Sequence, residues 1–209
     1  ACPHCPAMVR SVMPLAMYCP NIYLEIIDGS LFSDAARQDQ VLSAPCLILD
    51  GDFRWTRQAD IGEITRMIAR RDPTLLGTET LLTILEQGKA QWLSDQMIDQ
   101  KQIFKNFLTL LLHDTWAVRL GAMVVLEDLC AKDPSLAATI CPDLIDRFEK
   151  ETDITVQGDI LYALGEAGTR QTLQWLSQKI ASLENQDLID AAQDALDSLS
   201  AKPRSSTEE

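Results

Sequence analysis

The period of the apolar positions changes near residue 73: short runs of differing period come before it, and apolar residues at helical spacing follow it up to residue 200. "PAMVRSVMPLAMYCP" sets Val9, Val12, Met13 and Met17 at helical spacing, which predicts a helix kinked or cut by Pro14 and stopped before Pro20. "NIYLEIIDG" reads as a short strand closed by Asp-Gly, and "FSDAARQDQVL" as a helix capped by Ser33 or Asp34. In "CLILDGDFRW" two strands flank an Asp-Gly turn, a strong hairpin signal. "ADIGEITRMIARRD" predicts an amphipathic helix with Ile61, Ile64 and Ile68 on one stripe and Pro73 beyond its end.

Residues 73–100 carry two apolar groups, Leu81, Leu82 and Leu85, then Trp92, Leu93 and Met97, separated by Gly88. This is too apolar for a free linker and predicts one or two docked helices. Beyond it, "HDTWAVRLGAMVVLEDL", "TDITVQGDILYALGEAG" and "NQDLIDAAQDALDSL" repeat one theme, an aspartate (114, 153, 187) ahead of a helix with Ala and Leu at helical spacing. Each follows a partner helix: "KQIFKNFLTLLL", "AATICPDLIDRFEKE" and "RQTLQWLSQKIASL". Helical hairpins of this kind cannot bury their apolar faces alone and stack into a short solenoid. The expected organisation is an α/β domain over 1–72, a helical connector over 73–100, all-α repeats over 101–200 and a polar, disordered tail over 201–209. Trp116 and Trp175 are expected in the core, with interface anchors as the alternative reading, Glu127 and Asp128 on the solvated surface, and His113 beside Asp114 as a cap at a repeat turn.

An apolar share of 46% is enough for buried cores. With 31 Asp and Glu against 18 Lys and Arg, net −13, nucleic acid is a poor partner, and each half of the chain is itself acidic. The longest apolar run, "FLTLLL", is far short of the ~20 residues that span a bilayer, so no membrane partner is expected. No signal peptide is visible, and a start at Ala1 without methionine leaves a processed or trimmed beginning open. Cysteines at 2, 5, 19, 46, 130 and 141 are too scattered for a secreted disulfide framework, which points to the reducing cytoplasm.

The candidate chemistry is at the start, in "ACPHCPAMVR". A Cys-x-x-Cys pair opening a helix suits dithiol exchange: first-turn amides and the helix dipole stabilise the leading thiolate, and the second sulfur lies one turn away. Cys2 would attack and Cys5 resolve, with His4 lowering the Cys2 pKa when protonated and Pro3 stiffening the turn. Two other readings stand beside it: a zinc site, for which the sequence offers this pair and Cys19 but no second Cys-x-x-Cys, and an idle pair of cysteines. Downstream, in "SAPCLILDG", Pro45 lies 43 residues after Cys2 and directly before a predicted strand, and X-Pro is the bond type that tolerates a cis peptide.

On "CPHCP", "NIYLEIIDG" and "SAPCLILDGDF", residues 1–71 resemble a thioredoxin-like domain of glutaredoxin type. Within that group they are similar to the N-terminal redox domain of alkyl hydroperoxide reductase flavoproteins. The likeness of "CPHC" to periplasmic disulfide oxidases is local, since there is no room here for the helical insert those proteins carry between dithiol and proline. The resemblance implies a cis Pro45 facing the dithiol, with Ala44 and Pro45 forming the substrate groove and Ala44 offering backbone hydrogen bonds. It also implies a strand before the dithiol, where this chain has only Ala1, so the domain is expected to lack its first strand here, as a fragment of a longer protein or with a partner supplying it. Cys46 is expected as a small buried strand residue or an auxiliary thiol, and Cys19 as structural. The C-terminal repeats resemble HEAT-type repeats, best in "DTWAVRLGAMVVLEDL", which implies a scaffold for protein partners.

The expected architecture is therefore an α/β thioredoxin-like domain plus an all-α HEAT-like solenoid. The expected function is thiol-disulfide exchange through Cys2 and Cys5, using no metal or organic cofactor, with a protein disulfide substrate and a protein reductase as partners. The alternative is a non-enzymatic repeat adaptor with a redox-sensitive disulfide.

Overall fold

The computed structural model describes residues 2–56 and 60–201, so the expected tail lies outside the described residues except for Ala201. The chain divides into two compact units between Gly88 and Lys89, inside the segment read as a connector.

In the first unit, α1 (Cys5–Tyr18) runs through Pro14. That proline is exposed, so water can take the carbonyl it leaves unbonded. Only Met8 and Val12 of α1 are buried, whereas Met13 and Met17 of the expected stripe are exposed. The strand expected from "NIYLEIIDG" is not formed. Strands exist by pairing, and among the described residues none pairs with this stretch, which leaves Tyr23 88% and Ile26 57% exposed. α2 (Ser33–Gln38) follows, and neither Ser33 nor Asp34 caps it; its N-cap position is Phe32, with no side-chain bond.

The hairpin forms as the Asp-Gly signal predicts. β1 (Cys46–Leu49) and β2 (Phe53–Thr56) pair antiparallel, with Leu49 opposite Phe53 and Cys46 opposite Thr56. Asp50 and Gly51 adopt positive φ of 54° and 83°, the left-handed turn geometry that Asp-Gly favours. This is the only sheet among the described residues, and it is smaller than the thioredoxin resemblance implies. α3 (Ile61–Arg70) is capped by Asp60, whose side chain accepts from the Gly62 amide at 2.9 Å. Its buried stripe is Glu63, Ile64 and Met67, while Ile61 is exposed. The Trp55 indole, 2% exposed, donates to buried Glu63 at 3.0 Å and joins the hairpin to α3. A single 3-10 turn at Pro73–Leu75 leads into α4 (Thr78–Glu86), which packs on β2 through a core that includes Leu81 and Ile84.

Among the described residues the second unit is all-helical: α5 (Ala90–Gln100), α6 (Phe107–Leu111), α7 (Trp116–Lys132), α8 (Pro134–Ala138), α9 (Cys141–Lys150), α10 (Ile154–Ala167), α11 (Arg170–Lys179) and α12 (Gln186–Ala201). α5 packs on α7, α7 on α10 and α10 on α12, so one helix of each successive pair forms a continuous row. Phe107, Leu110, Leu126, Leu144, Leu161 and Ala192, all fully buried, mark its core. The repeated aspartate does three different things. Asp153 caps α10 by accepting from the amides of Thr155 and Val156, Asp187 falls inside the first turn of α12, and Asp114 offers its backbone carbonyl to Arg119. Arg119, 3% exposed, also donates to the His113 carbonyl and to Asp159, bridging α7 and α10. The His113 ring accepts from the Thr115 amide at 3.0 Å, a local cap. Asp128 is less solvated than expected: it pairs with Lys132 at 2.6 Å and accepts from the Ser94 hydroxyl. Trp175 stacks edge-on against Phe148, with ring centroids 5.5 Å apart. Trp116, expected in the core, is instead 63% exposed.

Candidate functional site

Cys5 begins α1, His4 occupies its N-cap position and Pro6 sits in its first turn, where the absent amide hydrogen costs nothing. The turn before the helix folds back so that the Cys5 amide donates to the Cys2 sulfur at 3.2 Å. Cys2 Sγ in turn donates to the Ala44 carbonyl at 3.3 Å, across 42 residues of sequence. The Ala44–Pro45 peptide is cis, with Pro45 buried and Ala44 exposed. The structure therefore brings Cys2, Cys5 and Ala44 together, with Pro45 bonded to Ala44. Pro3 and His4 are exposed on the rim, and Cys46, half-buried, opens β1. Cys19 ends α1 exposed rather than buried.

The two thiols are driven apart electrostatically. Cys2 is held below the ordinary thiol range, first by its hydrogen bond with the Cys5 thiol, then by bonds from the backbone amides of His4 and Cys5, against an opposing contribution from burial. Cys5 is pushed up by the same thiol–thiol bond, then by burial, then by the negative fields of Cys2 and Asp28. Thiolate character thus concentrates on Cys2, and Cys5 keeps its proton. Position 4 contributes through its backbone amide, whereas the sequence pattern points to the imidazole.

Asp28 is the member of the site that the sequence did not reveal. It reads as half of an Asp-Gly turn, and it does fix that turn, accepting from the Ser30 hydroxyl at 2.6 Å and the Ser30 amide at 2.9 Å. Its field reaches Cys5 only through the fold. Among the described residues, no three His, Cys, Asp or Glu side chains come together as a metal site.

Among curated proteins, the chain is similar to the F component of alkyl hydroperoxide reductase. The Pseudomonas aeruginosa protein is 30% identical over 92 residues, 42% of this chain and 18% of that protein. The Xanthomonas campestris pv. phaseoli protein is 26% identical over 92 residues, 42% of this chain and 17% of that one. The chain thus spans less than a fifth of the length of the curated relatives it matches. No family model and no solved structure matches. No helix among the described residues is long and apolar enough to cross a membrane.

Proposed function

We propose that the protein is a cytoplasmic thiol-disulfide oxidoreductase with a thioredoxin-like first unit, and that HEAT-like repeats in the second unit dock its protein partner. The observation that carries this reading is the contact of Cys2 Sγ with the Ala44 carbonyl at 3.3 Å, beside the Cys5 amide at 3.2 Å. The amide stabilises negative charge on the sulfur, and the Ala44 carbonyl, which accepts from the protonated thiol, marks a neighbouring exposed backbone for a substrate chain.

In the reducing direction, the Cys2 thiolate attacks one sulfur of a protein disulfide, and the other sulfur leaves as a thiolate. Cys5 then loses its proton and attacks Cys2 Sγ, which releases the second substrate sulfur and closes a Cys2–Cys5 disulfide. The substrate gains two electrons and the dithiol loses two, and a protein reductase restores the dithiol by the same exchange. No metal or organic cofactor takes part in these steps. Pro45 shapes the groove, and Ala44 aligns the substrate backbone.

A Cys5→Ser variant tests the proposal, because it should accumulate a mixed disulfide on Cys2 that reducing agent releases. A Cys2→Ser variant should form none. If neither forms an adduct and neither thiol reduces a generic disulfide, the oxidoreductase reading fails and the repeat adaptor takes its place.

A further inference from the structure

Trp116 is exposed at the start of a helix whose next outward positions are also apolar. Along α7, Trp116, Leu120 and Val124 follow at four-residue spacing, 63%, 49% and 48% exposed. Along the adjoining α10, Ile154 and Tyr162 take the corresponding outward positions, 46% and 47% exposed. Between them Gly158 has nothing within 4 Å of where a Cβ would stand, which leaves a notch in the row. The Tyr162 hydroxyl donates to Glu127 at 2.6 Å, which ties the two stripes together and fixes the ring. This bond and partial burial push the Tyr162 phenol up to about 12, so it stays a donor at physiological pH.

The flanks of this surface are acidic. α5, beside α7, carries exposed Asp95 and Asp99, and α12, beside α10, carries exposed Asp190 and Asp194, each pair again at four-residue spacing. Lys132, at the end of α7, is already held by Asp95 at 2.7 Å and Asp128 at 2.6 Å. An apolar centre between negative margins, with one large exposed indole, complements a segment that carries apolar anchors flanked by positive charge.

We propose that the α7–α10 face of the second unit binds a cationic amphipathic helix of a partner protein, with Trp116 as the main anchor and the Gly158 notch receiving an apolar side chain. This rests on the reading that the repeats dock a partner and is independent of the dithiol chemistry.

The protein is titrated against a fluorescein-labelled amphipathic peptide of Leu and Lys and against its Leu and Glu counterpart, with anisotropy as the readout. Saturable binding of the cationic peptide alone is expected. Trp116→Ala should weaken it about thirty-fold, the scale of an aromatic hot spot. Trp116→Phe should retain most of the affinity, and D190K/D194K should weaken binding and flatten its salt dependence. Circular dichroism of each variant should match the parent, since the replaced side chains are exposed. No binding, equal binding of both peptides, or parent-like affinity in Trp116→Ala would overturn the proposal. So would self-association that Trp116→Ala abolishes, which would make a second copy the occupant. Cys2→Ser should bind the peptide normally, so loss of dithiol activity and failure of this surface are separately visible.

Discussion

Two glycines of α10 should respond oppositely to alanine. In a helix interior the exchange favours folding by about 0.8–1.0 kcal/mol at either position, from reduced backbone entropy in the unfolded chain and better helix propensity. At Gly158 a new Cβ meets nothing within 4 Å, so that gain stands alone. At Gly165 it would lie 2.9 Å from the Ala195 Cα and 3.1 Å from its Cβ. The closer atom is backbone of α12 and cannot rotate aside. Restoring ordinary contact requires α10 and α12 to separate by roughly 0.5–1 Å, and overpacking of this kind costs about 1–3 kcal/mol. Gly165→Ala should therefore lose up to about 2 kcal/mol net, while Gly158→Ala gains just under about 1 kcal/mol. Urea unfolding followed by far-UV circular dichroism measures both as midpoint shifts at constant slope. Equal shifts of the same sign would refute the close α10–α12 packing on which the helical row depends.

Three further outcomes are expected. Glu63→Ala orphans the buried Trp55 indole and should destabilise the first unit by about 1–3 kcal/mol, whereas Glu63→Gln keeps an acceptor and should cost less, as read by thermal unfolding of the two variants. Asp28→Asn removes a negative field from Cys5 and should lower the pH at which that thiol alkylates, as followed by mass spectrometry of the labelled peptide. Asp133 and Asp153 are held below the ordinary carboxylate range by bonds from the Ser135 and Thr155 hydroxyls and from main-chain amides. Their folded-state values are depressed, so their contribution is complete above the unfolded value near pH ~3.9 and is lost as the pH falls through the native values. An acid titration of the second unit should show its stability falling in that window, and Asp153→Ala should diminish the effect.

Local chemistry was legible in the sequence where one or two residues dictate a backbone state. Asp50-Gly51 specifies a left-handed turn, and the hairpin formed around it. The helical character of the second unit was legible from period alone. Features that depend on what lies alongside were not. "NIYLEIIDG" has strand composition, yet composition does not supply the neighbouring strand that pairing needs. Trp116 has the apolarity of a core residue, and only the stacking of α7 on α10 shows that its side of the helix points outward. In the site, the Cys-x-x-Cys pair and Pro45 were visible as motifs. The role of Asp28 depends on the fold carrying it near Cys5, a proximity that no local pattern encodes.

Whether Cys2 is the activated nucleophile of the pair is decided by pH-dependent alkylation resolved by position. Reduced protein is pulsed with iodoacetamide across a pH series, and modification at residues 2 and 5 is quantified by peptide mass spectrometry. Cys2 should label first, with a midpoint below the ordinary thiol value, and Cys5 should follow only at higher pH. Labelling of Cys2 at or above the ordinary value, or of Cys5 ahead of it, would contradict the account.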